Sequence, residues 1–290
     1  MKGRAGLGPV AIFGAGKVGR GLKQRLAEAG VGARLDPSRA GLPRRPWRGV
    51  WLLVVATREG EVGPTARRIA EAGWLDEGAA VVHVAGALTA EALAPLRSRS
   101  AGVGQMHPMI SFAEPARPPG LVGGHVRVAG DDEAVRRASR LAQALGMKPR
   151  RLPGLDEIAY HAAAGLVANG AAALAAAGVE LLERAGVDRA TAPLLLGPLL
   201  RSVADNVESL GLPAALTGPV RRGDAGAVGK HLDTLGRLAP HLAPLYEAMA
   251  RAQLPLARAL GDAPPEAFDA LEARLGGAGQ PTKAPAGKTK

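Results

Sequence analysis

The sequence predicts an α/β protein with an N-terminal Rossmann-like, mostly parallel sheet followed by an all-helical C-terminal domain. Three observations carry this reading. Short apolar runs alternate with helical patterns over the first half, no β-branched run of strand length follows residue 153, and a glycine-rich loop joins the first run to the first helix. Alternation of this kind is the pattern of a parallel sheet covered on both faces.

The elements follow in order. Residues 9–13 form a compact apolar run, after which Val18, Leu22, Leu26 and Ala29 mark one face of a helix that ends at Gly30. A second strand is expected to end near Asp36, and the segment 34–48 is too short for a full second crossover helix. Further strand-type runs lie at 50–56, 79–85, 102–106 and 125–129, with helices expected at 62–72 and 89–96. Asp131 caps a helix carrying Val135, Ala138, Leu141 and Leu145 that stops at Gly146. Helices are then expected over 155–185, 190–210, 224–238, 240–260 and 265–275. The domains are accordingly 1–153, a dinucleotide-binding domain, and 154–276, a helical domain for substrate binding and dimerisation. Residues 277–290 lack apolar periodicity and read as a disordered basic tail.

The chain has 290 residues, a net charge of +11 and no cysteine, which excludes a disulfide scaffold, a thiolate metal site and a cysteine nucleophile. Only 8 of its 37 basic residues are Lys, and aromatics make up 3% of the chain. The charge therefore reads as a composition bias spread along the sequence, and nucleic acid is not an expected partner. No segment has the layout of a signal peptide. Residues 162–179 carry no charge but are mostly Ala and Gly, contain Asn169 and are flanked by His161 and Glu180. They read as a closely packed helix of a soluble, cytoplasmic protein rather than a membrane span. Their small residues allow close backbone approach, so a homodimer through the helical domain is expected.

Gly14-Ala15-Gly16-Lys17-Val18-Gly19 follows a predicted strand and opens a predicted helix. The first Gly permits a tight turn, the second lets a pyrophosphate approach the backbone, and the third lets helix pack on strand. Asp36 stands 22 residues after Gly14, where an acid would meet the adenosine ribose. The segment 34–48, however, holds five Arg and one Asp, including Ser38-Arg39, a hydroxyl and a guanidinium suited to a 2′-phosphate. That local excess of positive charge favours NADP over NAD. Ala56 and Thr57, closing the third apolar run, complete the expected cofactor contacts.

Ligands of an open parallel sheet bind beyond the carboxyl ends of its strands. His107 follows the fifth apolar run and precedes Pro108, which biases its backbone toward an extended form. His83 lies inside an apolar run and reads more simply as a satisfied core residue. On the first long helix His161, Gly165 and Asn169 recur every four residues. An Asn inside an Ala-rich helix has two polar ends to satisfy, so Asn169 is a candidate to hold a substrate carbonyl or a nicotinamide amide. Asp224 is expected to cap the helix that carries His231 two turns on, and with it to position a proton donor, while Arg222 is placed to pair with a substrate carboxylate. No histidine spacing supports a metal site.

With Gly14-x-Gly16-x-x-Gly19, the chain carries Val82-His83-Val84-Ala85-Gly86-Ala87-Leu88, His107-Pro108, Tyr160-His161-Ala162-Ala163-Ala164, Asn169 and Leu216-Thr217-Gly218-Pro219-Val220-Arg221-Arg222-Gly223-Asp224, followed by His231. In these it resembles a largely uncharacterised bacterial family that pairs a Rossmann-like NADP-binding domain with a helical C-terminal domain. That family is similar to ketopantoate reductases, pyrroline-5-carboxylate reductases and 6-phosphogluconate dehydrogenases, and some members are thought to reduce ketopantoate. The resemblance spans about residues 8–255 and implies a helical domain of the 6-phosphogluconate dehydrogenase kind. Two departures stand out. Ala85 replaces a serine of the family's His-x-Ser-Gly turn, and no Lys lies between Lys148 and Lys230, where ketopantoate reductases carry a catalytic lysine.

The expected activity is therefore NADP-dependent reduction of a C=O or C=N bond in a small acidic metabolite, ketopantoate being the first substrate to consider. His107 or His161 would donate the proton, Asn169 would polarise the oxygen, and Arg222 with Asp224 would shape the substrate end. The alternative is a non-catalytic NADP(H)-binding or regulatory protein, which the missing lysine and serine favour.

Overall fold

The computed structural model describes residues 7–276, and these divide into two compact units at residue 168/169. The expected tail at 277–290 lies outside the described residues. The first unit holds a seven-stranded sheet in the order β2-β1-β3-β4-β5-β6-β7. Its strands are β1 (Val10–Phe13), β2 (Ala33–Asp36), β3 (Leu52–Val55), β4 (Ala80–His83), β5 (Gly102–Pro108), β6 (His125–Gly130) and β7 (Lys148–Arg150). The first five run parallel, whereas β6 is antiparallel to β5 and β7 parallel to β6.

The apolar runs become strands because both of their faces are buried. Val10, Ile12, Leu52, Val54 and Val82 point to one face, where α1 (Lys17–Glu28) lays down Leu22 and Leu26 and α3 (Asp132–Ala144) lays down Val135, Ala138 and Leu141. Their alternates Ala11, Phe13, Leu53, Val55 and Val81 meet Val62, Ala66 and Ile69 of α2 (Val62–Ala72) on the other face, along with Trp47. With two covered faces, a strand reads as a continuous apolar run rather than an alternating one. As expected, no helix joins β2 to β3. The connection is irregular and is anchored by Trp47, which is fully buried and bridges to Leu75.

Two elements differ from expectation. The stretch expected as an α-helix at 89–96 is a 3₁₀ helix, Ala90–Arg99, with Pro95 inside it. Proline lacks the N–H that an α-helix would need there. Strand β7 was not foreseen, since Lys148–Arg150 is three residues long and largely exposed, and pairing with the edge of β6 is all that defines it.

Helix α4 (Glu157–Arg184) begins in the first unit and continues into the second, which adds α5 (Ala192–Leu210), α6 (Ala225–Leu238), α7 (Ala243–Leu260) and α8 (Pro265–Gly276). Val228, Leu232, Leu254, Ala257, Phe268 and Leu271 of α6, α7 and α8 form the second unit's core. The close packing expected of α4 is not found within the chain, because none of its residues is buried. By length and composition α4 is also long and apolar enough to cross a membrane.

Candidate functional site

The glycine loop links β1 to α1 at the carboxyl edge of the parallel strands, and each glycine there has its own reason. Gly14 sits at φ +123°, and a Cβ on it would come within 2.4 Å of the Ala56 carbonyl oxygen. A Cβ on Gly19 would lie 1.8 Å from the Gly14 oxygen, so the third glycine is what lets the helix pack against the turn. Gly16, the N-cap of α1, has nothing within 4 Å of a Cβ position. The backbone is therefore crowded on the sheet side and open at the helix N-terminus, where unpaired N–H groups favour an anion. Ala15 and Val18 are half-buried beside it and Lys17 is exposed. Ala56 is buried against Gly14, and next to it the Thr57 hydroxyl is buried without a hydrogen-bond partner. A buried hydroxyl left unsatisfied is costly unless a ligand completes it. A dinucleotide pyrophosphate fits this cradle.

At the end of β2 the carboxylate of Asp36 is already engaged. It is 8% exposed, accepts a hydrogen bond from Trp47 Nε1 at 2.8 Å and pairs with Arg34 Nε at 2.9 Å. Its backbone oxygen accepts from Gly14 N–H at 2.8 Å. Asp36 thus ties the loop to the sheet. Beyond it Ser38 is half-buried and Arg39 exposed. The positive excess of the segment is reduced by Asp76, which pairs with Arg48 at 2.7 Å. Among the described residues no carboxylate pairs with Arg39, Arg44 or Arg45.

The polar groups at the ends of β4 and β5 form one cluster. His83 is a structural residue, as expected. Fully buried, it donates from Nε2 to the Thr89 carbonyl at 2.9 Å and accepts at Nδ1 from Ala85 N–H at 3.2 Å. Burial holds its pKa below the usual histidine range, and the bond to Thr89 opposes this in part. His107 is half-buried, its Nδ1 3.0 Å from the Tyr160 hydroxyl and its ring edge-on to those of Tyr160 and His161. Burial first, then the electrostatic influence of the neighbouring His161 and the Arg127 guanidinium, push His107 down to about 4. Near neutral pH it is an uncharged imidazole. Its other nitrogen, Nε2, would lie 2.9 Å from a Cβ on Gly86, and Nδ1 of the exposed His161 only 2.4 Å from it. Glycine at 86 makes room for the two rings.

Behind these rings lies an ion pair that the sequence reading missed. Arg127 of β6, 5% exposed, donates from Nη2 to Glu157 Oε1 at 2.7 Å and from Nη1 to the buried Gln105 Oε1. Gln105 in turn donates to the Ala85 and Leu88 carbonyls. The guanidinium stands 5.6 Å from the centroid of the Tyr160 ring. Arg127 interrupts an otherwise apolar strand, and a charge in such a run requires a partner. That was the available signal.

In the second unit, Asn169 is an exposed residue of α4. Asp224 caps α6, accepting from Ala227 N–H at 2.8 Å, as expected. Arg222 is exposed, while its neighbour Arg221 pairs with Asp262 at 2.5 Å. His231 is also exposed, and its Nδ1 lies 2.7 Å from the hydroxyl of Tyr246 on α7. Asp224 and His231 therefore each have a local partner, and no contact between the two is found. Among the described residues no group of His, Asp or Glu is arranged to hold a metal ion.

Residues 125–253, less than half of the chain, match the family model described as Domain of unknown function (DUF2520). No curated protein matches the sequence. Among solved structures, a candidate NADP oxidoreductase from Bacteroides fragilis is similar at 20% identity and TM-score 0.67, covering 86% of this chain and 98% of its own. A protein from Thermotoga maritima is similar at 22% identity and TM-score 0.63, with 87% and 99% covered. Pyrroline carboxylate reductase from Plasmodium falciparum, solved with NADP bound, is 14% identical at TM-score 0.59, with 88% and 100% covered. The resemblance to pyrroline-5-carboxylate reductases read from the sequence holds at the level of the fold.

Proposed function

We propose that this chain is an NADP-dependent oxidoreductase that reduces the C=O or C=N carbon of a small carboxylate-bearing metabolite. One observation supports this above the others. The open approach to Gly16 and the unpartnered hydroxyl of Thr57, whose backbone adjoins Gly14, share the carboxyl edge of the sheet with the neutral His107. When bound, the reduced dinucleotide supplies the hydride. The chain's share is to hold the pyrophosphate at the loop, present a proton from the His107 side, and bind the substrate's polar groups. His161 packs against Gly86 beside His107, and we assign the exposed Asn169 and Arg222 to the substrate's oxygen and carboxylate.

NADP is preferred to NAD because the Asp36 carboxylate is engaged by Trp47 and Arg34, while Ser38 and the exposed Arg39 stand at the strand end. Fluorescence titration with NADPH and NADH tests this. Arg39→Ala is expected to weaken NADPH binding by roughly tenfold or more and leave NADH unchanged, as fits a charge-assisted phosphate contact. Equal affinity of the native chain for both cofactors would overturn the assignment. Catalysis is tested by NADPH oxidation with ketopantoate first, then a panel of 2-oxo acids and cyclic imines. Tight binding without turnover on any of them would favour a non-catalytic dinucleotide-binding protein, a reading that Ala85 and the missing lysine already suggest.

The partner we propose is a second copy of this chain. Leu166, Val167 and Leu174 of α4 and Leu194, Leu195, Leu199, Leu200, Val203 and Val207 of α5 are exposed in the single chain. Large apolar side chains exposed in this number on two helices are what a protein interface would cover. Sedimentation that shows only monomer at micromolar concentration would remove this proposal.

A further inference from the structure

We propose that Tyr160 is the proton source behind His107, with Arg127 and Glu157 as the positioning pair that holds it there. The inference rests on the oxidoreductase reading above and adds the origin of the proton and three residues that reading does not use.

The geometry carries it. His107 has one nitrogen on each side of a short path, with Nε2 against Gly86 beside the exposed His161 and Nδ1 3.0 Å from the Tyr160 hydroxyl. A neutral imidazole can give a proton from Nε2 without gaining a negative charge only if Nδ1 takes one at the same time. Tyr160 is the group within hydrogen-bond distance of Nδ1. The Arg127 guanidinium, 5.6 Å from the ring centroid, favours the phenolate that results. Burial raises the Tyr160 pKa and the Arg127 charge opposes that rise. Glu157 fixes Arg127 through the 2.7 Å bond to Nη2, so the cation stays beneath the phenol.

The substrate carbon gains the hydride that the reduced dinucleotide supplies, and the C=O π pair moves to oxygen. That oxygen forms a bond to the proton of His107 Nε2–H. His107 Nδ1 takes the phenolic proton of Tyr160, and the imidazole remains neutral in its other tautomer. After the product leaves, His107 Nε2 takes one proton from solvent as Nδ1–H returns its proton to the tyrosinate, which restores the starting state.

The test has two arms. In the first, the full chain without cofactor is labelled with ¹⁵N-histidine, and His107 is assigned from the spectrum of His107→Gln. The relay requires the Nε2–H tautomer with Nδ1 accepting near neutral pH, and in Tyr160→Phe the tautomer preference relaxes. An Nδ1–H tautomer in the native chain overturns the proposal, whatever the activity. In the second arm, Tyr160→Phe is expected to lower kcat by about a hundredfold with KM changed by less than about threefold, in the range of general acid catalysis. The solvent deuterium effect on kcat should curve with deuterium fraction in the native chain, with two protons in flight, and become linear in Tyr160→Phe. Tyr246→Phe, which removes the equivalent hydroxyl from the second unit, is the matched control and should leave kcat unchanged. Full retention of kcat in Tyr160→Phe overturns the relay. If no substrate is turned over by the native chain, the oxidoreductase reading fails, and the spectrum alone decides the hydrogen bond.

Discussion

The chain has two tyrosines, and each hydroxyl sits against a histidine Nδ1 with the rings edge-on, at 3.0 Å for His107 and Tyr160 and 2.7 Å for His231 and Tyr246. As isolated contacts the two are nearly the same. Their surroundings differ. The first pair lies at the carboxyl edge of a parallel sheet, against Gly86 and the exposed His161, with a buried cation beneath the phenol. The second ties α6 to α7, with Tyr246 packed on the apolar core of the helical unit and His231 exposed. One contact can thus be a route for a proton or a link between helices. What decides is the place in the fold and the charge next to it, and that difference can be broken from either side.

The largest effect should come from the charge beneath the first pair. Glu157→Gln leaves the guanidinium of Arg127, 5% exposed, without its counter-charge. Removing one partner of a buried ion pair costs about 3–5 kcal/mol. Denaturant unfolding should register that loss, and turnover should fall as Tyr160 loses its fixed neighbour. A change below about 1 kcal/mol would mean that the pair is solvated and holds nothing.

A smaller effect separates the pairs by pH. His107 titrates at about 4 in the fold against 6.5 for an unperturbed histidine, so between those values the unfolded chain binds the additional proton. Folding is therefore favoured by this group above 6.5, and its contribution is lost as pH falls toward 4. The full shift corresponds to up to about 3 kcal/mol. His83, also held neutral by burial, adds to the same acid limb. His107→Gln should flatten part of the fall in stability between pH 6.5 and 4, measured by urea midpoints across that window. An unchanged acid limb would show that His107 is not held neutral.

These two regions were not equally legible in the sequence. The glycine loop was, since a tight turn, an open approach and a close packing contact are demands a backbone makes of residue type alone. Gly14, Gly16 and Gly19 meet them as the spacing implies. The strands were legible because burial on two faces writes a continuous apolar run. Strand β7 was not, having three residues and little burial. The pairing of Arg127 with Glu157 spans 30 positions and leaves no periodic trace. Tyr160 stood in a quoted motif beside His161, but the sequence had no means of showing which of the two turns its polar atom toward His107. Asp36 was legible as a functional candidate and is instead occupied by Trp47, eleven residues on, a contact made by an irregular connection that no pattern predicts.

The smallest effect tests the claim that the second pair is a link. Tyr246→Phe keeps the ring that packs on Val228 and its neighbours and removes only the hydroxyl that meets His231. The lost bond is near the surface, where water can replace the tyrosine as a partner for His231, so the cost should be about 1 kcal/mol or less. Turnover should be unaffected, because among the described residues no guanidinium lies over this ring as Arg127 does over Tyr160. Thermal unfolding and initial rates measured on one preparation check both halves. A fall in kcat comparable to that of Tyr160→Phe would erase the distinction between the pairs, and would place a second proton route in the helical unit.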